Sequence, residues 1–164
     1  MKPTLANTEC TQYLAMAIDL ASANVRNSGG PFGAVVVSAD GRTFEGANRV
    51  TATNDPTAHA EVTAIRAAAA ALGTFDLSGA VLYTSCEPCP MCLASALWAR
   101  ISRVVYAADR HDAARSGFDD AVFYNYFDAA GDRQLMPVVR DGHQDTDYLQ
   151  PFQLWDRLDT RIDY

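Results

Sequence analysis

Basic residues are scarce: thirteen Lys and Arg stand against twenty Asp and Glu, a formal net charge of -7. A protein whose main partner is a polyanion carries cationic patches that displace counterions from phosphates, so this balance counts against nucleic acid as the partner. Long apolar runs are missing too. No stretch approaches the roughly 18 apolar residues of a membrane span, and the opening "MKPTLANTEC" lacks the apolar centre of a secretory signal. A cytoplasmic protein without membrane contact is the expectation. Cysteine is sparse, with four residues in 164, yet three of them, Cys86, Cys89 and Cys92, fall within seven positions. In a reducing compartment such clustering points to metal or catalysis before disulfides. Cys10 stands apart. No repeat, linker or composition break divides the chain, and its length suits one domain burying about two-thirds of its unfolded surface.

Apolar periodicity supplies the elements. Leu14, Ile18, Ala21 and Val25 recur at helical spacing up to Asn27-Ser28-Gly29-Gly30. "GAVVVS", Gly33 to Ser38, reads as a strand that turns at Asp40-Gly41 into a hairpin partner, Arg42 to Asn48. Thr57 to Leu72 is the clearest helix, stopped by Gly73. Ala80 to Ser85 and Arg103 to Ala108 read as buried strands, with a helix from Pro90 to Ala99 between them. "PVVR", Pro137 to Arg140, suits an edge strand, and Asp147 to Tyr164 a terminal helix carrying Phe152, Leu154, Trp155 and Leu158. A hairpin followed by alternating helices and strands indicates an α/β fold, a three-layer α/β/α sandwich on a mixed sheet of about five strands.

Chemistry concentrates at two helix starts. "DPTAHAEVTAIR" places His59 two residues before Glu61, and "CEPCPMC" sets cysteines at three-residue intervals. Helix N-termini present unpaired N–H groups and partial positive charge, which favour thiolate. Cysteines at i and i+3 face the same way. Cys89 and Cys92 are the favoured pair, because Pro90 suits the first helical position and both then sit in one turn. The rival pair, Cys86 and Cys89, straddles the end of a strand, and Cys86 then reads as a small buried thiol. With His59 the pair makes a Cys₂His set that leaves a fourth place for water, the pattern of catalytic zinc. Glu61 lies two positions from His59, off the metal face, where it can move protons. An H-x-E alone is common, and a lone C-x-x-C often means redox chemistry or nothing. Joined by 89 − 59 = 30 positions on two helix starts, they match the H-x-E…P-C-x-x-C signature of nucleobase zinc deaminases.

"GGPFGAVVV", "NDPTAHAEVTAIR", "LYTSCEPCPMC" and "GFDDAVFYNY" resemble the bacterial guanine deaminases of the cytidine-deaminase-like superfamily. The resemblance runs from about Gly29 to Phe127 and resumes at "PFQLWDR"; little is recognisable between Gly131 and Tyr148. It implies zinc held by His59, Cys89 and Cys92, a proton shuttle at Glu61, and hydrolysis of guanine to xanthine and ammonia. It further implies that Asn48 hydrogen-bonds the purine and that Phe32, Ala60 and Trp98 line it. Asp120 would read the base or assist proton transfer. A homodimer would exchange its C-terminal segment, about 130–164, so that Tyr164 reaches the partner's pocket. Read without the resemblance, Asn48 is equally a turn residue, Phe32 and Trp98 are core, and Asp119-Asp120 is a solvated pair; His111 and His143 read as solvated. Other aminated rings (guanosine, ammeline-like triazines, cytosine, adenosine in transfer RNA) remain alternative substrates, and a non-catalytic zinc module is the rival from another class.

Overall fold

The computed structural model describes residues 5–140 and 147–163. The elements run α1 (Leu5–Arg26), β1 (Gly33–Val37), β2 (Thr43–Ala47), α2 (Val50–Thr53), α3 (Ala60–Leu72), β3 (Val81–Cys86), α4 (Pro90–Trp98), β4 (Arg103–Ala108), α5 (Arg110–Arg115), α6 (Ala121–Phe127) and α7 (Gln150–Asp156). The chain divides into two compact units, Met1–Tyr124 and Asn125–Tyr164. All four strands lie in the first unit, in the order β2-β1-β3-β4. β1 pairs antiparallel with β2 and with β3, whereas β3 and β4 are parallel. A parallel pair needs a crossover between its strands, and α4 is that crossover.

Two glycines establish the layers. A Cβ on Gly33 would sit 2.3 Å from the Ala17 carbonyl oxygen of α1, and one on Gly46 would sit 2.3 Å from the Ala60 carbonyl oxygen of α3. Gly33 stands opposite Ala47 in the ladder, next to Gly46, so the two glycines face opposite sides of the sheet. Helix α1 therefore covers one face and α3 the other, each approaching so closely that only glycine fits beneath it. The core on the α3 face joins Ala34, Val36 and Leu82 of the sheet to Ala60, Ala64, Ile65 and Ala68 of α3 and Ala96 of α4. Small alanines let helix and sheet close to this distance. The alternation of β3 sends Leu82, Thr84 and Cys86 to this same face, while Tyr83 turns to the α1 side, where its ring lies 5.1 Å from that of Tyr13.

The α/β/α layering agrees with the expectation, but the sheet has four strands among the described residues and not about five. Pro137–Arg140 forms no ladder, and Val138 and Val139 are 78% and 83% exposed. A strand needs a neighbouring edge for its N–H groups, and an apolar run cannot signal whether one is near; Pro137 also brings no N–H of its own. The terminal helix is shorter than expected, Gln150–Asp156, because Asp147 turns back to accept the Leu149 N–H at 3.2 Å. Within the second unit, Tyr126 donates its hydroxyl hydrogen to the Met136 carbonyl at 2.9 Å. No helix among the described residues is long and apolar enough to cross a membrane.

Candidate active site and metal centre

Helices α3 and α4 begin alike. His59 and Cys89 are their N-cap residues, both extended, with φ/ψ of -66°/159° and -65°/168°, and neither side chain caps its own helix. A side chain that does not cap is free to point elsewhere. The turn that delivers His59 is built by Asp55, which accepts the Thr57 N–H at 2.8 Å and the Thr57 hydroxyl at 2.7 Å. Arg49 then donates its N–H to the Ala58 carbonyl at 2.8 Å. Pro90 opens α4 at the first helical position, where its missing N–H costs nothing, and Cys92 follows within the same turn.

These two starts bring three donors together. The Cys89 sulfur lies 3.6 Å from His59 Nδ1, the Cys92 sulfur 3.5 Å from it, and the sulfurs are 3.5 Å apart. A tetrahedral zinc with bonds of about 2.3 Å to sulfur and about 2.0 Å to nitrogen requires separations of about 3.8 Å and about 3.6 Å. The triangle fits within a few tenths of an ångström. His59, Cys89 and Cys92 form a group able to hold a metal, and two sulfurs with one imidazole favour zinc over harder ions. Cys86 is outside it: its thiol points to the Asp109 carbonyl at 3.6 Å, and burial pushes it up to about 11.

Electrostatics prepare the site for a cation. The two sulfurs titrate as a pair. Hydrogen bonding from the Cys92 thiol, with help from His59, brings Cys89 down to about 4 against the cost of burial. Cys92 is correspondingly pushed up, by the hydrogen bond it gives Cys89 and then by burial. Proximity of the Cys89 sulfur raises His59. A bound cation replaces the protons that this arrangement otherwise holds, so metal uptake releases them.

Glu61 is buried in the first turn of α3. The Thr84 hydroxyl, 3.5 Å from Glu61 Oε1, also reaches the Cys86 carbonyl at 3.0 Å. Burial raises the Glu61 carboxyl, and the negative charge at Cys89 raises it further. A carboxyl raised in this way holds a proton more readily than a free one, which suits a group that takes and returns protons.

A cavity of about 560 Å³ opens beside the triad, its wall including His59, Glu61, Cys86 and Cys89. That volume lies within the range of small-ligand clefts, about 300–1,000 Å³. Asn48, Phe32 and Asp120 lie on the same wall. Phe32 meets Phe118 edge to face with ring centres 5.0 Å apart, so two aromatic rings form one corner. Asp120 is raised by burial and then by Cys89, opposed by Arg110. Arg110 stacks over the Tyr124 ring at 4.4 Å and donates its backbone N–H to Glu87 at 3.1 Å; Tyr124 in turn donates to the Pro88 carbonyl at 2.8 Å. Tyr124 is thereby fastened to the turn that carries the cysteines.

Two expected site residues are not on the cavity wall. Ala60, the first residue of α3, is fully buried in the core. Trp98 is 68% exposed at the far end of α4 and is not on the cavity wall; six residues beyond Cys92, it has been carried about 9 Å along the helix axis. Tyr164 and His143 lie outside the described residues, and His111 is exposed. The sequence reasoning passed over Thr84, whose signal was the period-two alternation that sets it on the face of Cys86, and Phe118, which sat unremarked within "GFDD".

Comparison with known proteins agrees with this geometry. Residues 7–108 match the family model described as the cytidine and deoxycytidylate deaminase zinc-binding region. The guanine deaminase of Bacillus subtilis is 46% identical over 153 residues, which span 93% of this chain and 97% of that protein. Its crystal structure superposes with a TM-score of 0.87 over 94% of this chain and 98% of the other, at 47% identity. A structure of guanine deaminase from Nitrosomonas europaea gives a TM-score of 0.62 at 36% identity, covering 66% and 63% of the two chains. The tRNA-specific adenosine deaminase of Agrobacterium fabrum is 44% identical over 101 residues, 61% of this chain and 66% of that protein. The chain belongs to the zinc-dependent cytidine and deoxycytidylate deaminase family and, within it, to the guanine deaminases.

Proposed function

We propose that the protein catalyses hydrolytic deamination of guanine: guanine and water give xanthine and ammonia. The observation that carries this reading is the meeting of His59, Cys89, a buried glutamate and an asparagine on one small-ligand cavity beside the His-Cys-Cys triad, in a chain similar over nearly its whole length to a guanine deaminase. His59, Cys89 and Cys92 would hold zinc, which would supply the acidification of a water as nucleophile at neutral pH.

The remaining work falls to the chain. Glu61 accepts the first proton that water loses as its oxygen bonds to C2 and passes it to the adjacent ring nitrogen. It then takes the second proton from the new C2 hydroxyl and gives it to the amine, so that ammonia leaves as the C2–N bond breaks and the C2 carbonyl forms. Asn48 meets the purine edge. Its Oδ1 already accepts the Val50 N–H at 3.3 Å, which leaves its NH₂ for the base. Phe32 and Phe118 form an apolar wall for the ring, and Asp120 reads the base or assists proton transfer. The full-length match to a guanine deaminase favours the free base over adenosine in RNA, because the similarity to the tRNA-specific enzyme covers only 61% of this chain. A glutamate buried beside the triad also counts against a non-catalytic zinc module, which needs no proton carrier.

We further infer a single functional domain in the cytoplasm, where cysteines stay reduced, working as a homodimer that exchanges residues from about 130 onward and brings Tyr164 to the partner's pocket. Exposed apolar side chains in the second unit, among them Val138, Val139, Phe152 and Ile162, support an interface there. Light scattering of the purified protein tests it, and a monomer at micromolar concentration refutes it. The reaction is tested by the ultraviolet loss of guanine with and without a chelator. Xanthine and ammonia formed only with zinc present are the expected result, and a zinc-loaded protein inert to guanine refutes the reading. A parallel panel of nucleosides, triazines, cytosine and RNA would reveal another substrate.

A further inference from the structure

We propose that Asn24 is a positioning residue for base recognition, acting through Asn48. The inference rests on the reading that Asn48 contacts the purine. Asn24 lies in the last turn of α1 and is half-buried. Its Nδ2 donates to the Gly30 carbonyl at 2.8 Å and to the Asn48 carbonyl at 2.9 Å. An amide NH₂ has two hydrogens, and here each holds one of the two segments that wall the cavity. The backbone adds to the tie: Gly29 donates its N–H to the Asn24 carbonyl at 2.8 Å, and Asn48 donates its N–H to the Phe32 carbonyl at 3.1 Å. Gly30, Phe32 and Asn48 are thus referred to one side chain that does not itself line the cavity.

Gly29 is the independent sign. It is not among the glycines of positive φ, so its backbone does not call for glycine. A Cβ there would stand 2.4 Å from Asn24 Nδ2 and 2.5 Å from Oδ1. The glycine makes room for this amide in this position. Of similar side chains, aspartate would turn an oxygen toward two carbonyls, and glutamine is one carbon too long; the site uses what asparagine alone provides.

The test is steady-state kinetics on guanine with zinc content measured for every variant. Asn24→Asp should raise KM about tenfold, the worth of one to two neutral hydrogen bonds, with kcat and zinc occupancy little changed. Gly29→Ala, which displaces the amide by crowding, should raise KM in the same direction and stands in should Asn24→Asp not fold. In an Asn48→Ala background Asn24→Asp should add nothing further, because residues acting through one another are non-additive. Equal falls in kcat and zinc, an unchanged KM in both variants, or full additivity with Asn48→Ala overturns the inference. A normal KM for Asn48→Ala alone refutes the assigned contact and the inference with it, and failure of the proposed reaction shows earlier, as an inert unsubstituted protein.

Discussion

Replacing Glu61 by glutamine separates its chemistry from its packing. The side chain is 6% exposed, and the Thr84 hydroxyl 3.5 Å away also serves the Cys86 carbonyl. Glutamine has nearly the same volume, so no void opens, and at most one long hydrogen bond is weakened, costing less than about 1 kcal/mol. The charge itself is a burden on the fold. Because burial raises this carboxyl, the folded state holds its proton to higher pH than the unfolded chain does. Its contribution to stability is therefore present below the unfolded value and is lost as pH rises through the folded one, and glutamine removes that loss. Thermal stability near neutrality should hold or rise. Turnover should fall by about 10² to 10⁴, the usual worth of general acid–base catalysis, or about 2.7 to 5.4 kcal/mol of barrier. Guanine turnover, zinc analysis and a melting curve on Glu61→Gln read all three. Near-normal turnover refutes the proton role, and loss of zinc would make Glu61 a metal residue instead.

The triad predicts that Cys92→Ala loses zinc while Cys86→Ala keeps full occupancy, measured by elemental analysis of dialysed protein; loss of metal from Cys86→Ala would overturn the choice of pair. The Cys86 thiol, held at about 11, should resist alkylation at pH 7 to 8 although it borders the cavity, and mass mapping of iodoacetamide adducts decides this. Gly46→Ala should destabilise by about 1 to 3 kcal/mol, since the added methyl meets the backbone of α3 and forces overpacking; chemical denaturation measures it, and an unchanged midpoint refutes the close contact.

Layer order and metal chemistry were legible for the same reason, that both rest on short-range pattern. Glycines at helix ends, a valine-rich run, and cysteines one turn apart state their geometry within a few residues. Element ends were less plain: α3 begins at Ala60 and not Thr57 because Asp55 spends its carboxylate on a turn first.

The sequence by itself determined that two helix starts would carry a histidine and a pair of cysteines, because local spacing fixes which side chains share a turn. Only the tertiary structure decided that these starts converge within 3.6 Å, that Thr84 lies against Glu61, that Trp98 and Ala60 are not on the cavity wall, and that one amide of α1 ties its walls together. Those facts depend on how closely helices approach the sheet, which Gly33 and Gly46 permit but which no local window contains. Contacts across 24 or 30 positions are settled by packing, where every side chain competes for the same space.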